Sequence, residues 1–225
     1  MAMSVLEAEV LCDLAARAKR VLMVDHTYLF SDGMRAVKSL IEHGELGAIE
    51  SINSVRANLI SGRSDVNLLW DLAPHDLSIF EELMPGECLA TETRIVAIGD
   101  SNGPSQIHFD LWYAIGRVAH VDLSWSAPSK SRLVTIKDSH NVVIWDDLHP
   151  LEKVVFRKPG AEPTTLRIPT PRESLSAVVD HFGAVLAGRI SSRMDGNHGL
   201  RVVRTLEKLQ GQLDRLLTHQ TENRR

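Results

Sequence analysis

Apolar residues recur at helical intervals over residues 4–19 and predict an opening helix. Ser4, with Glu7 three positions later, has the spacing of a capping box at the start of that helix. The next segment, RVLMV (20–24), is a continuous apolar run, which is typical of a strand buried on both faces of a parallel sheet. We therefore expect residues 1–26 to be the last helix and strand of an α/β unit.

Two helices and one strand are predicted in the next part of the chain. The first helix covers 32–43, with Ser31 or Asp32 as its N-cap. A strand-like pattern follows over 48–59, and helical spacing of apolar residues returns over 68–84.

From residue 89 to about 168 the chain consists of short segments rich in Val, Ile, Thr and Trp, separated by turns. Consecutive strands joined by short turns imply antiparallel pairing. Two helices close the chain, over 173–188 and about 197–219. Residues 27–225 are therefore predicted to be one α+β domain, a large open mainly antiparallel sheet with helices on one face. The predicted strands are 89–98, 106–115, 117–125, 132–138, 141–145 and 152–157.

An open sheet leaves its second face to be covered by something else. Trp112, Trp125 and Trp145 all lie in the strand region, where either core packing or a subunit interface explains them. We expect a homodimer or a higher oligomer that forms through the sheet.

Composition narrows the class of protein. The 225 residues are 44% hydrophobic and 24% charged, as in soluble globular proteins. The net charge of −4 argues against nucleic-acid binding, which usually needs a basic face. No apolar run approaches the ~20 residues of a membrane span, and the N-terminus lacks the pattern of a signal peptide. We expect a cytoplasmic protein that binds neither nucleic acid nor membrane.

Asp71 and His75 form the strongest candidate for catalysis. Four residues apart on a helix, they lie on one face. A carboxylate beside an imidazole can orient the ring and raise its pKa, which gives a general acid or base. A surface pair or a helix cap would have the same spacing.

Other polar residues flank this pair. Arg63, Asp65 and Asn67 lie in a polar loop, and loops often carry binding residues. His26 and Tyr28 follow the apolar run, and ligands of open α/β sheets lie beyond the carboxyl ends of strands. We expect these five residues to bind substrate, although a solvated turn and a strand-end histidine are the simpler alternatives.

Motif searches predict neither a metal site nor a cofactor site. The ten histidines show no HExxH motif and no group of two histidines with a carboxylate. The sequence also has no GxGxxG and no Walker A motif, so no residue of this chain is assigned to cofactor binding.

Four segments together resemble the Gfo/Idh/MocA family, whose members are nicotinamide-dependent oxidoreductases that act mostly on sugars, nucleotide sugars and cyclitols. Their order and spacing, over nearly the whole chain, carry the resemblance. The segments are RVLMVDHTYLFSDGMRAVKSLIEHGELGAI, RSDVNLLWDLAPHDLSI, WSAPSKSRLVTIKDSHNVVIWDDLHPLEKV and HFGAVLAGRISSRMDGNHGLRVVRTLEKL.

The resemblance implies a role for each part of the chain. It places this chain in the family's second domain, which builds the substrate site and the oligomer interface, preceded by the end of the Rossmann domain. The family's Asp-x-x-x-His pattern falls on Asp71 and His75, with the histidine as acid/base and the aspartate as its support. NAD(P) is implied by the resemblance only. Two departures are Asp25, where many members have glycine, and Ser78, which occurs in the nucleotide-sugar branch.

Three functions follow as hypotheses. The chain is the substrate-binding and acid/base part of a sugar or nucleotide-sugar oxidoreductase, whose Rossmann domain could be a partner chain. Alternatively, it is a cofactor-independent acid/base enzyme for epimerisation, elimination or cyclisation. The third hypothesis is a non-catalytic binding or scaffold dimer.

Overall fold

The computed structural model describes residues 1–59, 65–99, 103–150, 152–166, 168 and 172–222. The helices in these residues are α1 (Val5–Arg17), α2 (Asp32–Glu42), α3 (Leu68–Leu83), α4 (Ser174–Leu186) and α5 (Gly196–Glu222). The strands are β1 (Ser51–Ala57), β2 (Cys88–Ile98), β3 (Pro104–Tyr113), β4 (Val118–Ser124), β5 (Ser131–Lys137), β6 (Val142–Asp146), β7 (Val154–Arg157) and β8 (Thr164–Leu166). None of the described helices has both the length and the apolar composition needed to cross a membrane.

The eight strands form one sheet in the order β2-β3-β4-β1-β5-β6-β7-β8. Only β1 and β4 run parallel, and every other neighbouring pair is antiparallel. The predicted α+β fold with a large, mainly antiparallel sheet is therefore confirmed. The three residues of β8 were missed, because they follow a Gly- and Pro-containing segment that reads as a turn.

One face of the sheet carries the helices and the core. Along β3, Ile107, Phe109 and Leu111 are fully buried against the helices. The side chains of the residues between them point to the other face of the sheet. Trp145 on β6 is buried in the same core, so the core explanation holds for this tryptophan. Trp112, in contrast, is 37% exposed on the opposite face.

The opposite face of the sheet is open in the described residues. Register places its side chains in two rows that cross the sheet. The first row is Arg94, His108, Asp122, Val55 and Leu133, and the second is Glu92, Asp110, His120, Asn53, Thr135 and Ile144. Among these only Asp110 is buried, and the others are half-buried or exposed. This face is polar over β2–β4 and mostly apolar farther along the sheet.

The N-terminal segment packs on the main domain, but not as the sequence suggests. Ala8 of α1 is buried against Leu200 and Val203 of α5. Residues 20–24 form no strand of the sheet, and their only ladder contact is an isolated antiparallel bridge between Met23 and Asp195. The prediction of a buried parallel strand is therefore wrong for these residues, since no described strand lies beside them. The division of the chain at residue 26 stays a prediction.

The caps predicted for α1 and α2 are present. The Ser4 hydroxyl accepts a hydrogen bond from the Glu7 amide at 3.2 Å, and Ser31 rather than Asp32 caps α2 by accepting from the Met34 amide at 3.2 Å. The apolar row of α1 is exposed: Leu6 is 72% and Leu14 54% accessible.

A glycine in the first turn of α2 allows this helix to reach the sheet. A Cβ atom at Gly33 would collide with the indole ring of Trp145. We therefore expect Gly33→Ala to destabilise the fold by about 1–3 kcal/mol, as overpacking of a core does. Urea unfolding measures the effect. The matched control is Gly183→Ala in α4, where no neighbour lies within 4 Å and alanine should stabilise by about 0.5–1 kcal/mol. Equal stabilities of the two variants would contradict the packing argument.

Candidate functional site

Tyr28 and His75, two residues that sequence reasoning selected, lie in contact. Tyr28 belongs to a 3₁₀ turn over Thr27–Phe30, and His75 projects from α3. Their rings meet edge to face with centroids 5.0 Å apart. The turn after the apolar run and the middle of α3 thus lie side by side in the fold.

Two arginines that the sequence analysis missed complete this arrangement. Arg56 on β1 and Arg132 on β5 are directly opposite each other in the sheet register. Their guanidinium carbons lie 4.4 and 5.6 Å from the centroid of the Tyr28 ring. Cations at such distances are attracted by an aromatic face. Like charges directly opposite on neighbouring strands are unfavourable, so this pair needs compensating anions.

Asp76 supplies that compensation from α3. Its carboxylate accepts hydrogen bonds from Nε and Nη2 of Arg56, both at 2.9 Å, and from the Ser54 hydroxyl at 2.8 Å. Arg56 is 4% exposed and Asp76 is fully buried. Burial acts to lower the pKa of Arg56, but the carboxylate outweighs it and the pKa is raised. The guanidinium is therefore a permanent buried cation.

A signal for Arg56 is present in the sequence. Ile52, Ser54 and Arg56 alternate along β1 and all face the helices. Polar residues at core-facing positions are rare unless paired, so Ser54 and Arg56 mark a buried polar site. Their partner on α3 cannot be identified from β1 alone.

The electrostatic environment of His75 is the reverse of the expectation. Burial, Arg56 and Arg132 lower its pKa to about 4, and the carboxylates of Asp76 and Asp71 only partly oppose them. The ring is therefore neutral near pH 7, and the expected increase of its pKa by Asp71 does not occur. Within the described part of the chain, no hydrogen bond to the His75 ring is present.

Asp71 contacts a different residue from the one predicted. Its Oδ2 accepts a hydrogen bond from the indole N–H of Trp125 at 2.9 Å. The influence of Asp71 on the pKa of His75 is smaller than that of Arg56, Asp76 or Arg132. The role predicted for Asp71, support of the histidine, therefore stays a prediction, while its contact with Trp125 joins α3 to the end of β4.

His26 lies in a neighbouring cavity of about 280 Å³. It is buried beside His198, with ring centroids 5.2 Å apart, and burial lowers its pKa to about 3. The Nε2 atoms of both rings are buried and have no hydrogen-bond partner among the described residues. Val24 and Pro74 line the same cavity. His26 is therefore adjacent to His75 but opens toward a separate space.

The remaining predicted binding residues divide between another cleft and the undescribed loop. Asp65 and Asn67 line a cleft of about 880 Å³ together with Trp125. The Asn67 side chain caps α3 by accepting from the Trp70 amide at 3.0 Å, and it also donates to Gln210 at 2.8 Å. Arg63 lies outside the described residues.

A second cluster of titratable residues contradicts the prediction that the chain has no group of two histidines with a carboxylate. His108, Asp110 and His120 bring two histidines and a carboxylate together, with donor atoms within 4.8 Å of one another. They come from adjacent strands, β3 and β4, and the sequence search missed them because pairing rather than local spacing joins them. This group lies on the open face of the sheet, opposite to His75.

Comparison with solved structures identifies the fold. UDP-N-acetylglucosamine 3-dehydrogenase GnnA from Acidithiobacillus ferrooxidans matches with a TM-score of 0.85 and 21% identity, over 96% of this chain and 69% of that chain. This chain has the fold of the C-terminal domain of Gfo/Idh/MocA-type oxidoreductases. The structural resemblance expected from the sequence is thereby confirmed. No protein-family model matches the sequence, and no curated protein matches it either.

Two further neighbours of this type are sugar or cyclitol enzymes by name. Aldose-aldose oxidoreductase from Caulobacter crescentus, complexed with glycerol, has a TM-score of 0.79 and 21% identity, over 96% of this chain and 68% of that chain. An inositol dehydrogenase homologue from Azotobacter vinelandii, complexed with NADH and myo-inositol, has a TM-score of 0.76 and 19% identity, over 95% and 67% of the two chains.

The residues of this chain do not by themselves fit the dinucleotide that this type of oxidoreductase uses. A pyrophosphate is held by a Gly-rich turn at a helix N-terminus. The first turn of α1 is instead capped by the Ser4 hydroxyl, and Glu7 places a carboxylate there. The whole sequence contains no GxGxxG motif.

The neutral state of His75 has a consequence for stability. Its pKa is 6.5 in the unfolded reference and about 4 in the folded chain, so the unfolded chain binds the proton more readily between those values. Stability is therefore lost as the pH falls from about 6.5, by up to about 1.4 kcal/mol per pH unit for one group. We expect His75→Gln to flatten this dependence between about pH 6.5 and about pH 5 in urea unfolding. His140→Gln, at an exposed position in the β5–β6 turn, should leave it unchanged. Parallel curves for His75→Gln and the native chain would contradict the buried neutral state.

Proposed function

We propose that this chain is the substrate-binding and acid/base part of a sugar or nucleotide-sugar oxidoreductase of the Gfo/Idh/MocA type. The observation that carries the proposal is the His75 ring, which is neutral, has no hydrogen bond among the described residues and lies beside Tyr28 and two arginines. The names of the structural neighbours, which include sugar, nucleotide-sugar and inositol enzymes, support the same substrate class.

In this proposal His75 moves the proton of a substrate hydroxyl. A neutral imidazole offers one nitrogen as an acceptor, so it can take the proton as the hydroxyl is oxidised. The positive charges of Arg56 and Arg132 would stabilise the oxygen anion that develops at the same time. Tyr28 places its ring between these groups and fixes the position of the histidine by edge-to-face contact. In this proposal the hydride that leaves the carbon bearing that hydroxyl would pass to a nicotinamide dinucleotide held by a Rossmann domain.

The charges also bear on which sugars are accepted. Arg56 is neutralised by Asp76, whereas Arg132 is partly exposed and the nearest carboxylate oxygen among the described residues, on Asp147, is 3.7 Å away. An arginine without a close bidentate partner is suited to binding a phosphate or a carboxylate. A separate cleft of about 880 Å³, whose lining residue Trp125 hydrogen-bonds to Asp71 on the helix of His75, has the size of a ligand site. We infer that the substrate is an anionic sugar, with nucleotide sugars favoured over free aldoses.

Ligand binding to the purified chain tests this proposal. We expect UDP-N-acetylglucosamine to bind more tightly than glucose or myo-inositol in isothermal titration calorimetry. Arg132→Gln should weaken nucleotide-sugar binding by about tenfold or more, as loss of a charged hydrogen bond does. His75→Gln should weaken binding of every sugar that binds.

The matched control is Arg157→Gln at an exposed position on β7, which should bind like the native chain. Failure of all three ligands to bind, or equal affinity in the native and Arg132→Gln chains, would contradict the proposed substrate class. Circular dichroism of each variant separates lost binding from lost folding.

We also propose that the apolar part of the open sheet face forms a homo-oligomer interface. Val55, Leu133 and Ile144 are half-buried there, and no described helix covers them. The exposed Leu6 and Leu14 of α1 are proposed to contact a separate Rossmann-domain chain. Both apolar surfaces need such a cover, since exposed apolar patches mark interfaces.

Sedimentation velocity tests the sheet interface. We expect the native chain to sediment as a dimer or a larger species and Ile144→Lys to sediment as a monomer, because a charge at a buried apolar contact is costly. The control Val179→Lys lies on an exposed position of α4 and should leave the assembly unchanged. A native chain that is monomeric at every concentration would overturn this proposal.

A further inference from the structure

Two histidines and two carboxylates meet on the open face of the sheet, where β3 pairs with β4. Register sets His108 opposite Asp122 and Asp110 opposite His120. Because paired residues of neighbouring strands share a face, all four side chains project on the side away from the helices. The proposed function uses none of them.

The distances within this cluster converge on one oxygen atom. His108 Nε2 lies 2.9 Å from Oδ1 of Asp110, and His120 Nδ1 lies 2.5 Å from the same oxygen. The other carboxylate oxygen of Asp110 accepts a hydrogen bond from Arg94 at 2.9 Å. Asp110 is only 5% exposed, so its charge depends on these neighbours rather than on water.

Each imidazole of the cluster needs a cation or a proton between itself and a carboxylate. Asp122 Oδ1 lies 2.8 Å from Nδ1 of His108, which places a proton on that nitrogen. Nε2 of the same ring then faces Asp110, and an ionised carboxylate is only an acceptor. A lone pair facing an anion is repulsive, so Nε2 carries either a second proton or a metal ion. Accordingly, although burial alone would lower it, the pKa of His108 is raised by its hydrogen bonds to Asp122 and Asp110.

The arrangement matches a known pattern of metal coordination. Histidine ligands of metals usually donate their other ring N–H to a carboxylate, which fixes the tautomer and the orientation of the ring. Asp122 has this position relative to His108. Two imidazole nitrogens and one carboxylate oxygen suit Zn²⁺ and the neighbouring first-row metals. In a tetrahedral zinc site, donor atoms are about 3.3 Å apart. The two nitrogen-to-oxygen distances of 2.9 and 2.5 Å would therefore lengthen by about 0.4 and about 0.8 Å to admit the ion.

We propose that His108, Asp110 and His120 form a binding site for a divalent transition-metal cation on the open face of the sheet. Zn²⁺ is the cation that the donor set fits best. The ion replaces the protons that the two imidazoles share with Asp110, and Asp122 orients His108 from outside the coordination sphere. The remaining coordination position faces outward from the sheet, where His120 is 40% exposed and water can complete the shell.

Proton release makes the affinity dependent on pH. His108 must lose the proton on Nε2 before it can coordinate, so the Zn²⁺ affinity falls as the pH falls. The charged groups facing the site are Asp110, Asp122, Arg94 and Glu92, together with His120. They come from β2, β3 and β4, and no described element packs over them.

Metal binding by the untagged full chain tests this proposal. After removal of metal with a chelator, Zn²⁺ is titrated against a chromophoric competitor, and we expect one ion per chain. His120→Gln should lower the affinity by about tenfold or more, and Asp122→Asn by about 10–100-fold through loss of the outer carboxylate. The affinity of the native chain should also weaken as the pH falls, because protons compete with the ion for the ligand nitrogens.

Two controls keep the result interpretable. His140→Gln changes an exposed histidine in the β5–β6 turn and should bind Zn²⁺ like the native chain. Asp122→Asn alters a side chain that is 48% exposed, so it tests the site even if His108 or His120 variants fail to fold. Co²⁺ in place of Zn²⁺ should give the visible absorption of a tetrahedral nitrogen and oxygen site. No bound Zn²⁺, or affinity that is the same in His120→Gln, Asp122→Asn and the native chain, would overturn the proposal.

Discussion

The buried ion pair of Arg56 and Asp76 is the interaction on which the candidate site depends. It joins β1, in the middle of the sheet, to α3, which carries His75 next to Asp76. Removing one partner of such a pair costs about 3–5 kcal/mol, because the other charge is left buried and alone. The pair also holds the guanidinium against the Tyr28 ring. Strand, helix and 3₁₀ turn are thus fixed relative to one another at a single point.

The same pair determines the chemistry available at His75. Burial favours the neutral imidazole, and the always-charged Arg56 acts in the same direction. The Asp76 carboxylate accepts hydrogen bonds from Arg56 and Ser54 rather than from the histidine ring. In the proposed function, the neutral imidazole has a nitrogen available to accept the proton of a hydroxyl, while the cations would stabilise the anion that develops. The sheet therefore contributes charges as well as shape to the candidate site.

The two faces of the sheet divide the molecule into separate regions. A shift of register by one residue would exchange them, because alternate residues of a strand point in opposite directions. On β1, Ser54 and Arg56 face the helices and belong to the candidate site, whereas Asn53 and Val55 face outward. On β3, the side chains of His108 and Asp110 point to the open face. Register thus places a histidine cluster and the His75 site on opposite sides of one sheet.

Local patterns in the sequence were sufficient for most elements. Helical spacing and caps identified α1 and α2, and turn residues identified the strands from β2 to β7. The contact of Tyr28 with His75 joins two residues that the sequence selected separately. The strand expected at residues 20–24 was wrong because an apolar run specifies burial and not a hydrogen-bonded partner.

Tertiary structure decided the charges of the site. The spacing of Asp71 and His75 suggested a carboxylate that raises the pKa of the imidazole, but the fold directs Asp71 to Trp125 and brings two arginines to His75. Those arginines come from strands distant in sequence and paired in register. A pKa depends on all charges and on burial within several ångströms, whereas a local pattern reports only neighbours along the chain. The sequence by itself therefore determined the elements and the candidate residues, and only the pairing of β1 with β5 and of β3 with β4 determined which charges meet.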